Sequence, residues 1–109
     1  MKQEFEVEIT EKNLGEIINW GERVFATACV RVGLEVVSQI PVGDSKIDFK
    51  VKTRSGNLRL IEVTESKRKN ARRLQRKMRQ LKNMKESGLG YCLLCNEELI
   101  NIQRRNETS

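Results

Sequence analysis

The stretch Lys46-Ile47-Asp48-Phe49-Lys50-Val51-Lys52-Thr53, followed by Arg54-Ser55-Gly56-Asn57 and then Leu58-Arg59-Leu60-Ile61-Glu62-Val63-Thr64, reads as two strands joined by a turn. In the first limb Ile47, Phe49 and Val51 alternate with Asp48, Lys50 and Lys52, the period of two that sorts residues onto opposite faces of a sheet. In the second limb Leu60, Glu62 and Thr64 share one face, opposite Ile61 and Val63. The Arg54–Asn57 segment closes the hairpin. Asp48 and Glu62 interrupt runs otherwise suited to burial, and a carboxylate inside a hydrophobic strand is costly without a partner. Two convergent carboxylates are well matched to a divalent metal ion.

Upstream, Phe5, Val7 and Ile9 alternate with Glu4, Glu6 and Glu8, which predicts a short edge strand or arm within residues 1–12. Asn13 stands where a helix N-cap belongs, with Glu16 three residues later as in a capping box. From Leu14 to about Val32 the apolar spacing predicts an amphipathic helix ended by Gly33, with Glu22 beside the apolar stripe and Trp20 off it. Leu34–Val42 reads as a strand that Pro41 weakens or ends, and Gly43-Asp44-Ser45 as a turn. Downstream, Ser66 caps a predicted helix over Lys67–Ser87, with Ala71, Leu74, Met78 and Leu81 on its apolar stripe. Gly90–Asn96 reads as a last buried strand, Glu97–Ile102 as a short turn or helix, and residues 103–109 as a frayed tail. A crossover through a helix lets the last strand lie parallel to the strand of Glu62.

With 109 residues there is room for one domain, expected over residues 1–102. Its core is modest, so a homodimer that buries further area is a reasonable assembly. No apolar run reaches membrane-spanning length, and Met1-Lys2-Gln3-Glu4 lacks the apolar core of a signal peptide. A cytoplasmic protein without a membrane partner is the resulting expectation. Cys92 and Cys95 form a CxxC spacing, but the chain has no histidine and one other cysteine, Cys29. Buried thiols therefore fit better than a zinc site. Ten Lys/Arg and no acid lie between Lys67 and Lys85, whereas the rest of the chain carries 11 basic and 15 acidic residues. An acidic body bearing one intensely basic element suggests a polyanion-binding surface, with Lys67, Arg68, Lys69, Arg72, Arg73, Arg76, Lys77 and Arg79 as the contacts. The scarcity of aromatics favours duplex or branched DNA read through its backbone over stacked single strands.

The element order and these residues together resemble the PD-(D/E)xK, or restriction-endonuclease-like, nuclease superfamily, and within it the archaeal Holliday junction resolvases and similar small nucleases. The resemblance runs from about Asn19 to Asn96 through Gly21-Glu22-Arg23, Val32-Gly33-Leu34-Glu35, Lys46-Ile47-Asp48-Phe49 and Leu60-Ile61-Glu62-Val63-Thr64. It implies an α/β fold, a mixed sheet flanked by helices with an α-β-β-β-α-β core. It also implies a Mg²⁺- or Mn²⁺-dependent DNA endonuclease, structure-selective in the manner of a junction resolvase, working as a homodimer because cutting two strands calls for two sites. Asp48, Glu62 and the Val63 carbonyl would hold the metal, and Glu22 would add a further carboxylate.

One position departs from the family pattern. Where the family has lysine, this chain has Thr64, which can hold a water but carries no charge. Three outcomes fit. Lys50 or Lys67 reaches in to substitute; or the metal carries the chemistry while Thr64 positions water; or catalysis is lost, leaving a DNA-binding or assembly protein on the same fold.

Overall fold

In the computed structural model, which describes residues 6–42, 45–64, 79 and 90–108, the hairpin forms as its alternation requires. Strands β3 (Ser45–Lys52) and β4 (Leu58–Val63) pair antiparallel from Lys52↔Leu58 to Phe49↔Ile61. The turn is held by Thr53 N–H to the Asn57 carbonyl at 2.8 Å and by Gly56 N–H to the Thr53 carbonyl at 2.9 Å. Gly56 sits at φ +89°, a left-handed conformation that favours glycine. Ile47, Phe49 and Val51 are buried on one face.

Around this hairpin stands a five-stranded mixed sheet in the order β1-β2-β3-β4-β5. The edge strand β1 (Val7–Glu8) and β2 (Glu35–Val42) pair antiparallel, as do β2 and β3. Pro41 does not end β2; it keeps its place opposite Lys46 and the strand runs on to Val42. At the far edge β5 (Gly90–Leu94) lies parallel to β4, the direction expected of a crossover. The result is a mixed α/β sheet with two described helices, α1 (Trp20–Arg31) and α2 (Asn96–Thr108).

The first helix is shorter than its periodicity suggests. Leu14–Glu16 forms a separate 3₁₀ turn, Ile17 is extended, and α1 begins at Trp20. The N-cap is Asn19, whose Oδ1 accepts the Glu22 N–H at 2.9 Å, and not Asn13. Asn13 instead staples the preceding loop, its Oδ1 accepting from Thr10 N–H and its Nδ2 donating to the Glu8 carbonyl. The bend throws Ile18, expected on the buried stripe, out to 94% exposure. Gly33, at φ +77°, ends α1 as expected, with Gly33 N–H on the Val30 carbonyl and Leu34 N–H on the Cys29 carbonyl, the paired bonds of a Schellman ending.

Helix α2 corrects the expectation of a short turn and a frayed tail. It begins directly after Cys95, whose N–H donates to Glu98 Oε1, as in half of a capping box. Leu99 is fully buried, and Ile102 packs against the same core as α1. Beyond Gln103 the helix is tied down by Asn106, whose Nδ2 donates to the Val24 carbonyl and whose carbonyl accepts from Arg31. Val24, Ala26 and Cys29 from α1, Leu99 from α2, and Val36, Phe49, Val51 and Ile61 from the sheet form one apolar cluster. Phe25 and Phe49 stack at 5.2 Å with tilted rings, and Trp20 packs half-buried against this cluster. Cys29 and Cys95 are buried, Cys92 is half-buried, and none of the three is joined in a disulfide. Among the described residues no helix is long and apolar enough to cross a membrane.

Candidate active site

The two carboxylates lie side by side at the end of the hairpin. The β3–β4 ladder ends at Phe49↔Ile61, and one step further the same register sets Asp48 opposite Glu62. At that step a side chain takes over from the backbone. Asp48 Oδ2 accepts the Val63 N–H at 2.8 Å, which pins the aspartate to the start of the strand's exit. Asp48 is half-buried, whereas Glu62 is 3% exposed, the one charged residue fully buried among the described residues. Alternation places both on the face of Lys50, Leu60 and Leu93, opposite the apolar cluster of α1 and α2.

The first turn of α1 rests on this strand end. A Cβ on Gly21 would stand 2.8 Å from Val63 Cγ1 and 2.9 Å from Leu99 Cδ1, so only glycine permits the approach. Glu22, the next residue, is half-buried and lines a cleft of about 610 Å³ with Asn19, Ser38, Gln39 and Phe49. Val63 thus connects the parts: its N–H engages Asp48, its side chain meets α1, and Glu62 precedes it.

Thr64 follows, half-buried, its N–H donating to the Leu94 carbonyl at 2.9 Å and so extending the contact of β4 with β5. Lys50 shares a face with Asp48 but is engaged elsewhere: its Nζ lies 3.7 Å from Glu6 Oε1. Lys67, the other lysine considered as a substitute, lies outside the described residues, as do Arg68, Lys69, Arg72, Arg73, Arg76 and Lys77. Arg79 is helical and exposed, and the remainder of the helix expected over Lys67–Ser87 lies outside the described residues.

The donor set has a definite chemistry. Among the described residues no group of three or more His, Cys, Asp or Glu gathers to hold a metal ion, so Glu22 does not complete a trio with Asp48 and Glu62. What remains is two carboxylates and the Val63 carbonyl, all hard oxygen donors. Such a sparse set suits Mg²⁺ or Mn²⁺, since Mg²⁺ is commonly held by one or two carboxylates and keeps several waters. The cysteines take no part, and burial pushes the Cys29 thiol up to about 12, which keeps it protonated.

Two residues of this region escape a reading of the sequence. Asn19 has a signal, the Asn-x-x-Glu spacing to Glu22 that marks a capped helix start. Gln39 has none. It adopts φ +58°, where asparagine or glycine is the ordinary choice, and the β2–β3 ladder skips it between Ser38↔Phe49 and Ile40↔Ile47. The position it vacates in the ladder is the one facing Asp48. Scans against protein-family models and searches of curated proteins and solved structures return no match to this chain.

Proposed function

We propose that this chain is a metal-dependent DNA endonuclease of the PD-(D/E)xK, restriction-endonuclease-like type, structure-selective in the manner of junction resolvases. The observation that carries the reading is the arrangement at the hairpin's end. Asp48 and Glu62 stand in adjacent register positions on one face, Asp48 is locked to the Val63 N–H, and the helix bearing Glu22 is packed on Val63. The order helix, three antiparallel strands, crossover and parallel strand supports it.

In this reading Asp48, Glu62 and the Val63 carbonyl hold Mg²⁺ or Mn²⁺. When bound, the metal polarises the scissile phosphate and lowers the pKa of a coordinated water. Asp48 is oriented for the task by its bond to Val63. Glu62 presents its carboxylate from a site screened from solvent, where charge acts strongly. Thr64 can hold a water by its hydroxyl at the strand end. The basic residues from Lys67 onward contact the DNA backbone, each neutralised phosphate steepening the salt dependence of binding by about 0.9 in log–log slope. Two copies of the chain, as a homodimer, would cut two strands.

A second reading, a DNA-binding or assembly protein with impaired catalysis, is favoured by one observation. Lys50, on the face of Asp48, is engaged with Glu6. A cleavage panel separates the two: duplex, nicked, branched and single-stranded DNA with Mg²⁺ or Mn²⁺, and Glu62→Ala as control. Metal-dependent cutting that the control abolishes, with binding retained, supports the nuclease. Salt-sensitive binding with no cutting of any substrate supports the second reading.

A further inference from the structure

Resting on the nuclease reading, we propose that Gln39 is a positioning residue for Asp48. Its left-handed backbone carries its side chain off the sheet face of the two carboxylates, and the gap this leaves on β2 is where a hydrated divalent cation reaches Asp48. The first argument is register. The β2–β3 ladder runs from Glu35↔Lys52 to Val42↔Ser45, and the pair it omits is Gln39 with Asp48. The register is the same on either side of that pair, so no residue is inserted. What departs is the backbone of Gln39, at φ +58° the one non-glycine residue with positive φ among the described residues.

The second argument is the face on which Gln39 ends. Ser38 pairs with Phe49 on the α1 side of the sheet, so strict alternation would set Gln39 on the other side, with Asp48, Lys50 and Glu62. Yet Gln39 is exposed and lines the cleft of Ser38, Phe49 and Glu22, on the α1 side. A non-glycine residue in the left-handed region carries a conformational cost and persists only where its surroundings over-determine it. Here that conformation falls at the one β2 position that would flank Asp48.

The third argument is chemical. In a regular antiparallel pair the two Cβ atoms stand about 5 Å apart, so a glutamine beside Asp48 could donate its amide N–H to the carboxylate. It would then compete for the oxygen lone pairs that a cation needs. A cation that keeps several of its waters also needs room on one side of its ligands. Glu62 is 3% exposed and Asp48 half-buried, so the pair is reached from the Asp48 side. Across β4 that side is taken by Glu62 itself, and along β3 Lys50 is drawn toward β1, its Nζ 3.7 Å from Glu6 Oε1. The β2 position given up by Gln39 supplies the room.

The test is Mn²⁺ titration by calorimetry on the whole chain without DNA, beside thermal melts, with Asp48→Ala marking loss of the site. Gln39→Gly is at ease in the left-handed backbone and has no side chain to return, so its affinity stays within about threefold of the unaltered protein. Gln39→Val disfavours that backbone and returns a side chain to the face of Asp48, so it binds Mn²⁺ about tenfold more weakly or worse. A Gln39→Val protein that melts lower yet binds Mn²⁺ as the unaltered protein does overturns the inference and leaves the nuclease reading standing. Where Gln39→Val does not fold, Gln39→Gly decides: retained affinity supports the inference, and about tenfold weaker binding overturns it, because the glutamine side chain itself would then serve the site. Absence of Mn²⁺ binding by the unaltered protein overturns the inference and the metal-dependent reading together.

Discussion

Replacing Asp48 by alanine and by asparagine separates what this side chain does for the fold from what it would do for the proposed metal. Its Oδ2 accepts the part-buried Val63 N–H at 2.8 Å, a bond to an ionised acceptor. Such bonds contribute about 1.5–3 kcal/mol, and a donor left without its partner adds its desolvation cost. Alanine removes the acceptor, so Asp48→Ala is expected to lose about 2 kcal/mol. For a domain of this size that corresponds to a fall in Tm of roughly 10 °C. Asp48→Asn keeps an oxygen in place and loses only the charge, so its Tm falls by roughly half as much or less. Metal affinity sorts the variants differently. Loss of even an outer partner of a metal ligand costs about 10–100-fold in affinity, so both variants should bind Mn²⁺ at least tenfold more weakly. Thermal melts by circular dichroism and Mn²⁺ titration by calorimetry read the two effects apart. Equal melting of Asp48→Ala and the unaltered protein refutes the role given to the Val63 bond. Unchanged Mn²⁺ affinity in Asp48→Asn refutes Asp48 as a ligand.

Other expectations follow from particular contacts. Gly21→Ala places a Cβ 2.8 Å from Val63 Cγ1; the overpacking of about 1–3 kcal/mol outweighs a helix-propensity gain of about 1, and Val63→Ala in the same chain should restore part of the loss in a double-mutant denaturation cycle. Cys29 has a folded pKa raised from 9.0 to about 12, so its contribution is whole below pH 9 and falls as pH rises between those values, because only the unfolded thiol ionises there. Urea melts should therefore show the stability difference between the unaltered protein and Cys29→Ala shifting against the unaltered protein by about 2 kcal/mol from pH 8 to pH 10.5; a constant difference would contradict the burial of this thiol. Truncation after Ile102 removes Asn106 with its bonds to Val24 and Arg31, and should lower Tm by several degrees where loss of a frayed tail would leave it unchanged.

The hairpin was legible because Ile47, Phe49 and Val51 alternate with charged residues and the turn carries a glycine at the left-handed position. The parallel β5 was legible from topology, since a strand reached through a long connection can return in the same direction. The start of α1 was misplaced by six residues' worth of apolar spacing, because Leu14, Ile17 and Ile18 continue the helical period through a stretch that is a 3₁₀ turn and a bend. Periodicity reports which residues could face a core, and it is silent on whether the backbone between them stays helical. Helix α2 was underestimated for the opposite reason. Its end is polar, and what orders it is Asn106 and Arg31, contacts with a helix far away in sequence. Within the site, Asp48 and Glu62 stood out as charges in apolar strands, and Glu22 by its place beside the stripe. Gln39 was invisible, since a left-handed glutamine follows from its surroundings and not from its own preference.

The pairing of β4 with β5 has a kinetic consequence. The β3–β4 hairpin closes over a five-residue loop, Thr53–Asn57, and can form within microseconds. Residues 59–63 must wait for residues 90–94 to arrive, and α1 must wait for α2, so both steps bear a larger loop-closure entropy. Asp48 and Glu62 therefore meet early, while the strand and helix that shield Val63 on either side come late. Folding intermediates of this chain should therefore present a bare carboxylate hairpin before the tertiary structure around it has closed.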